Sequence, residues 1–142
     1  MFQEALCYVP RHGIEPEGDE VTLKSLAGDT FVMVPDRCGL ARRTRELFAS
    51  ARVSLKVYAG EALGYHVMQE WAALDLGSAI LPQSQLAERT RALPIMHGPG
   101  NPVTITYRVA PRVRAREAAR GAAATVPPAP LGALVEQCAD RR

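Results

Sequence analysis

The stretch from Thr30 to Pro82, TFVMVPDRCGLARRTRELFASARVSLKVYAGEALGYHVMQEWAALDLGSAILP, decides the fold. It opens on Thr30-Phe31-Val32-Met33-Val34, an apolar run without alternation that Pro35 stops. Such a run suits a strand covered on both faces, as in the centre of a parallel sheet. After the loop Pro35-Asp36-Arg37-Cys38-Gly39, residues Leu40, Thr44, Leu47 and Phe48 recur at helical spacing, while Arg42, Arg43, Arg45 and Glu46 point elsewhere. Ser54 to Ala59 alternates and predicts a second strand. Gly60-Glu61-Ala62 then opens a second helix whose buried stripe is Leu63, Val67, Trp71 and Leu74, and Asp75 to Gly77 ends it. Ser78-Ala79-Ile80-Leu81-Pro82 predicts a third strand. This alternation of strand and helix implies right-handed parallel crossovers and an α/β layered lobe. Its expected core is Phe31, Val32, Val34, Leu47, Phe48, Val57, Leu63, Val67, Trp71, Leu74, Ile80 and Leu81.

Upstream, Ala5 to Val9 is a short β-prone run closed by Pro10, and Arg11 to Glu20 reads as a solvated loop. Val21 to Gly28 predicts one capped turn ending on glycine. Downstream, Gln83 to Ala92 predicts a short helix anchored by Leu86 and Leu93, and Met96 to Pro102 predicts a loop. Val103 to Val109 predicts a strand that leads away from the lobe. Arg114 to Ala124 predicts a helix, Pro127-Pro128-Ala129-Pro130 breaks it, and Leu131 to Ala139 predicts a last amphipathic turn.

A chain of 142 residues has room for one domain or two small lobes, and a composition 47% hydrophobic and 23% charged excludes wholesale disorder. No run of 18 apolar residues exists and the N-terminus lacks a signal pattern, so a cytoplasmic protein with no membrane association is expected. The net charge of +2 is too small for a dedicated nucleic-acid surface. The tail is nevertheless basic: from Arg108 onward seven arginines face only Glu117, Glu136 and Asp140. Lys24 and Lys56 are the sole lysines, an arginine bias that reads as genome composition. Cys7, Cys38 and Cys138 are too few and too scattered for a disulfide framework or a CxxC pair.

Ligands of a parallel α/β sheet bind beyond the carboxyl ends of its strands. Two such loops are legible, Pro35-Asp36-Arg37-Cys38-Gly39 and Gly60-Glu61-Ala62. Both place backbone N–H groups at the positive end of a helix, a seat for carboxylate or phosphate, and Arg37 adds a bidentate donor. Plain strand-to-helix turns with a solvated arginine explain the same residues. Enzyme signatures are missing: no Gly-x-Ser-x-Gly elbow and no Gly-rich phosphate loop occur, and His12 and His97 lie in loops without a nucleophile at telling spacing. His66 and Glu70 are one turn apart, the spacing of a surface i,i+4 pair. Cys38, beside Arg37 at a helix start, is the one candidate for a reactive thiolate; a small filler at a cleft edge is the alternative. No cofactor and no metal are expected.

Four passages together resemble the effector-binding domain of the LysR-type transcriptional regulators. Glu4 to Gly13, with Val9-Pro10-Arg11-His12-Gly13, resembles the strand that crosses from the first lobe; Val21 to Leu26 resembles an entry turn. Val57 to Pro82 resembles the family's strand, helix and "G-x-a-i-l-P" end, here Gly77-Ser78-Ala79-Ile80-Leu81-Pro82, and Val103 to Tyr107 resembles the returning strand. The resemblance implies a type 2 periplasmic-binding-like α/β fold with a complete parallel-sheet lobe and part of a second. It implies a crossing strand and partial first lobe over 1–12 and the effector lobe over 13–98. Residues 99–142 would hold the return strand, a C-terminal helix and an Ala/Pro-rich tail. The winged helix-turn-helix, linker helix and first half of the effector domain have no counterpart between Met1 and the crossing strand. Asp75 stands where the family usually has a glycine, so that turn is expected to be less relaxed.

Two functions follow as expectations. One is the effector-sensing domain of a regulator, a non-enzyme that holds a small, anionic metabolite between two lobes and acts through an oligomer. The other is a stand-alone module that pairs with itself or with full-length regulators and binds no ligand. In neither does this chain alone recognise DNA sequence, because no helix-turn-helix pattern presents side chains to a groove.

Overall fold

The computed structural model describes residues 2–107. The expected helix at Arg114, the last turn at Leu131, the basic tail and Cys138 lie outside the described residues, as do the last two residues of the strand expected over Val103 to Val109.

Strand β1 (Phe2–Val9) is the spine, and all its strand neighbours run antiparallel to it. Its first half pairs with β8 (Thr104–Tyr107), and its second half with β5 (Ala79–Pro82) on one side and β6 (Leu93–Gly98) on the other. Beyond β6 lie β2 (Val21–Thr22), parallel to it, and β7 (Asn101–Pro102), antiparallel. Strand β3 (Thr30–Met33) pairs in parallel with β4 (Lys56–Glu61). It is joined to the residue before β5 by Val32 N–H to Ser78 O at 2.8 Å and Ser78 N–H to Thr30 O at 2.7 Å. The lobe is therefore parallel through β4, β3 and the start of β5, and antiparallel around β1.

Helix α1 (Gly39–Ser50) buries Leu40, Ala41, Thr44, Leu47 and Phe48, the stripe read from the sequence with Ala41 added. The Thr44 hydroxyl escapes desolvation by donating to the Leu40 carbonyl at 2.9 Å. Phe31 meets Phe48 edge-on, with ring centroids 5.4 Å apart, and this contact fixes α1 against β3.

The second helix differs from expectation. Strand β4 continues through Glu61, so Gly60-Glu61-Ala62 does not open a helix; α2 (Tyr65–Ala73) starts after Gly64. Its buried residues are Tyr65, Met68 and Ala72. Leu63 and Leu74 remain 49% and 68% exposed, Val57 remains 38% exposed, and Val67 and Trp71 are half-buried. Both sets fit a 3.6-residue period, and it is the face bearing Tyr65, Met68 and Ala72 that is buried where α2 packs against β3 and β5. The rest of the expected core, Phe31, Val32, Val34, Leu47, Phe48, Ile80 and Leu81, is buried.

The end of α2 follows a Schellman pattern, with Leu76 N–H to Trp71 O at 3.0 Å and Asp75 N–H to Ala72 O at 3.1 Å. Asp75 takes φ 65°, the left-handed conformation that glycine adopts without strain. Two residues on, Gly77 lets the chain pass close to β3: a Cβ there would stand 3.0 Å from the Thr30 carbonyl oxygen and 3.2 Å from the Val32 nitrogen, so the backbone of β3 would have to give way.

Two further corrections fall after β5. Gln83 to Ala92 holds one 3-10 turn (Gln83–Gln85) rather than a helix. The Gln69 side chain of α2 ties that segment down: its Nε2 donates to Gln85 O, and its Oε1 accepts from Ala87 N–H and the Thr90 hydroxyl, all at 2.8 Å. Met96 to Pro102 is a hairpin of β6 and β7, so its Pro and Gly signals belong to the turn alone.

Candidate functional site

The two loops singled out by the sequence meet at the carboxyl ends of β3 and β4. Register pairs Met33 with Glu61, and Ala62 N–H donates to the Met33 carbonyl at 2.8 Å. Pro35, Cys38 and Ala62 are buried and form the floor, Gly60 is half-buried, and Asp36, Arg37, Gly39 and Glu61 are exposed. Cys38 occupies the N-cap position of α1, where no side-chain hydrogen bond caps the first turn. This N-cap stands at the positive end of a helix of 12 residues, where Gly39 is exposed while Leu40 and Ala41 are buried. Arg37 makes no ion pair among the described residues, with Glu61 or any other carboxylate, whereas Asp36 is held by Arg45 Nε at 3.0 Å. At α2 the donors differ from expectation, because the Ala62 N–H is spent on β3 and the helix begins at Tyr65.

The strands that leave the lobe reach the same end. The Glu4 carboxylate accepts from the Ser84 N–H at 2.7 Å and its hydroxyl at 2.9 Å, locking β1 to the end of β5. Burial, and then the Glu4 charge, push the Tyr107 hydroxyl well above the usual phenol range, and burial pushes Tyr65 up to about 12. Arg43 Nε donates to the Thr104 carbonyl at 3.1 Å, which ties α1 to β8.

The opposite end of the parallel strands carries a polar knot that sequence reasoning missed. Asp29, with 11% of its side chain exposed, accepts from the Tyr8 hydroxyl at 2.6 Å and the Ser78 hydroxyl at 2.6 Å. It also accepts from Arg11 Nε at 3.1 Å and the Thr30 N–H at 2.8 Å. Arg11 reaches on to Asp75 at 3.0 Å, and its backbone N–H donates to the Ser78 hydroxyl. Burial and the bond to Asp29 hold the Tyr8 phenol up at about 12. No local spacing links Tyr8, Asp29 and Ser78; only the fold brings them together.

His66 is exposed and faces Glu70 at 3.5 Å as the i,i+4 pair expected, and His12 and His97 are exposed. Cys7 is buried and its thiol is pushed up by burial and then by Glu4, so it is a poor nucleophile. Among the described residues no group of three His, Cys, Asp or Glu side chains could hold a metal ion, and no helix is long and apolar enough to cross a membrane.

A protein-family model described as the LysR substrate binding domain matches residues 2–125. No curated protein matches the chain. Among solved structures, the effector binding domain of QuiR in complex with shikimate is similar with a TM-score of 0.56 at 20% identity, over 82% of this chain and 59% of that one. The regulatory domain of CcmR from Synechocystis PCC6803 in complex with 2-PG is similar with a TM-score of 0.58 at 15% identity, over 89% of this chain and 66% of that one. The reduced form of OxyR gives a TM-score of 0.52 at 19% identity, over 84% and 58%. At such identities the likeness is one of fold, a type 2 periplasmic-binding-like α/β architecture. The chain spans 59% and 66% of the lengths of the first two of these neighbours.

Proposed function

This chain belongs to the LysR substrate binding domain family, and on that premise we propose that it senses a small anionic effector at the carboxyl end of β3 and β4. The effector's acidic group sits on the first turn of α1, with Arg37 as its bidentate partner and Glu61 turned to solvent. Pro35, Asp36, Cys38, Gly39, Gly60 and Ala62 shape the seat. The single observation that carries this reading is an exposed guanidinium without an ion pair among the described residues, beside a helix start that no side chain caps. That the QuiR and CcmR domains carry shikimate and 2-PG in their structures supports a small acidic ligand.

In this reading residues 1–12 and 99–142 belong to a partial first lobe and 13–98 to the effector lobe, and closure of one on the other biases a regulator's oligomer in the cytoplasm. The domain acts as a sensor rather than an enzyme, without cofactor or metal, and leaves DNA sequence to other parts of a regulator. A thermal-shift titration with shikimate, 2-PG and uncharged analogues of each tests it. Acidic ligands should raise the melting temperature and Arg37→Gln should abolish the rise. Equal responses to acidic and neutral analogues would remove the electrostatic argument and favour the module that binds no ligand.

A further inference from the structure

Strand β1 offers one carboxylate to two neighbours, and only one of them holds it. Continuing the β1–β5 register beyond Leu6 and Pro82 puts Glu4 opposite Ser84. Both Glu4 oxygens are taken there, by the Ser84 N–H at 2.7 Å and the Ser84 hydroxyl at 2.9 Å. Strand β8 pairs Tyr107 with Phe2, and the two rings stack with centroids 5.9 Å apart. Glu4, two residues along β1 from Phe2, therefore shares a face with Tyr107. The Tyr107 hydroxyl is buried and has no hydrogen-bond partner among the described residues. It lies close enough to Glu4 for that charge to hold its proton more firmly. A buried hydroxyl without a partner forfeits the hydration it had in the unfolded chain. The neighbouring carboxylate that would satisfy it is spent on Ser84.

We propose that Glu4 is the built-in occupant of an acid seat at Ser84, and that a small carboxylate taken up there sends Glu4 across to the Tyr107 hydroxyl. Ser84 is exposed, so its two donors can be reached from solvent. They already hold a carboxylate in this structure, which sets the chemistry of what they accept. Glu4 is half-buried, and the phenol compensates its move with a charge-assisted O–H···O⁻ bond that also gives the orphan hydroxyl an acceptor. The exchange unties β1 from the end of β5 and ties it to β8, so occupancy of the seat is passed to the strands that leave the lobe. This seat stands apart from the α1 loop and does not depend on Arg37.

Backbone amide NMR of the full chain during a titration with sodium acetate, against sodium chloride at the same ionic strength, tests the proposal. The Ser84 and Tyr107 amides should shift saturably with acetate and not with chloride. Glu4→Ala removes the resident carboxylate and should tighten acetate binding at Ser84 by about tenfold. Tyr107→Phe removes the place where Glu4 lands, so it should weaken binding about tenfold in the wild-type background and change nothing in Glu4→Ala. It should also leave the melting temperature where it was, because the hydroxyl has no partner to lose. A Ser84 amide that ignores acetate in Glu4→Ala overturns the proposal, as does a Ser84 response that Arg37→Gln removes. So does a Tyr107→Phe variant that acts equally in both backgrounds, or one that lowers the melting temperature as the loss of a hydrogen bond would.

Discussion

The two ends of the parallel strands treat polar groups in opposite ways. At the amino end Asp29 is nearly enclosed and accepts from Tyr8, Arg11, Thr30 and Ser78, so the charge is matched inside the fold. At the carboxyl end Arg37 is exposed and makes no ion pair among the described residues, and no side-chain hydrogen bond caps the first turn of α1. A buried charge that loses its partners costs far more than an exposed one. The amino end thus holds β1, β3 and β5 together, whereas the carboxyl end leaves the Arg37 guanidinium exposed and without an ion pair among the described residues.

The sharpest way to break that contrast is Asp29→Ala, which takes the shared carboxylate acceptor from the buried Tyr8 and Ser78 hydroxyls and leaves Arg11 only its pair with Asp75. Chemical denaturation should show a loss of about 3 kcal/mol. A loss below about 1 kcal/mol would mean that the knot is decoration.

Tyr8→Phe comes next, at about 1 kcal/mol, and it also has a pH signature. The folded-state phenol titrates at about 12 against an ordinary value of 10.0. The folded state therefore holds the proton more tightly. The stabilisation is complete below pH 10.0 and is lost as pH rises toward about 12. Tyr65 adds to the same fall, so Tyr8→Phe should shrink the alkaline loss without abolishing it. An identical alkaline slope in the variant would dissociate the phenol from the knot.

Asp75→Gly probes the rim of the same end. Relief of the left-handed φ of 65° stabilises by about 1 kcal/mol, while loss of the exposed pair with Arg11 costs about 0.5 kcal/mol. A small rise in melting temperature should result; a large fall would move the Arg11–Asp75 pair into the knot proper. Arg37→Ala has the smallest effect on stability, within about 0.5 kcal/mol, although it should remove anion binding.

How much of this was legible in the sequence follows the range of the interactions involved. The strand at Phe31, the stripe of α1 and the strand ending in Pro82 are set by contiguous residues and could be read directly. The carboxyl-end loops could be read because a parallel sheet places them there by rule, and the structure does bring both together. The start of α2 could not, since two apolar stripes compete on that segment and the choice depends on how far β4 runs. The loop after Gln83 was misread because its backbone is held by Gln69, whose amide carries no sequence mark. The amino-end knot joins residues up to 70 positions apart, and no pattern in one sequence announces it.

The central claim, that the carboxyl end is the receiving end, is tested most directly by backbone amide NMR during a titration with shikimate and, separately, with 2-PG. The account predicts saturable shifts at Arg37, Gly39, Leu40 and Glu61 with one of these acids, absent in Arg37→Ala, while Arg11, Asp29, Asp75 and Ser78 stay still. Shifts confined to the amino-end knot, or shifts at Gly39 that survive Arg37→Ala unchanged, would contradict it.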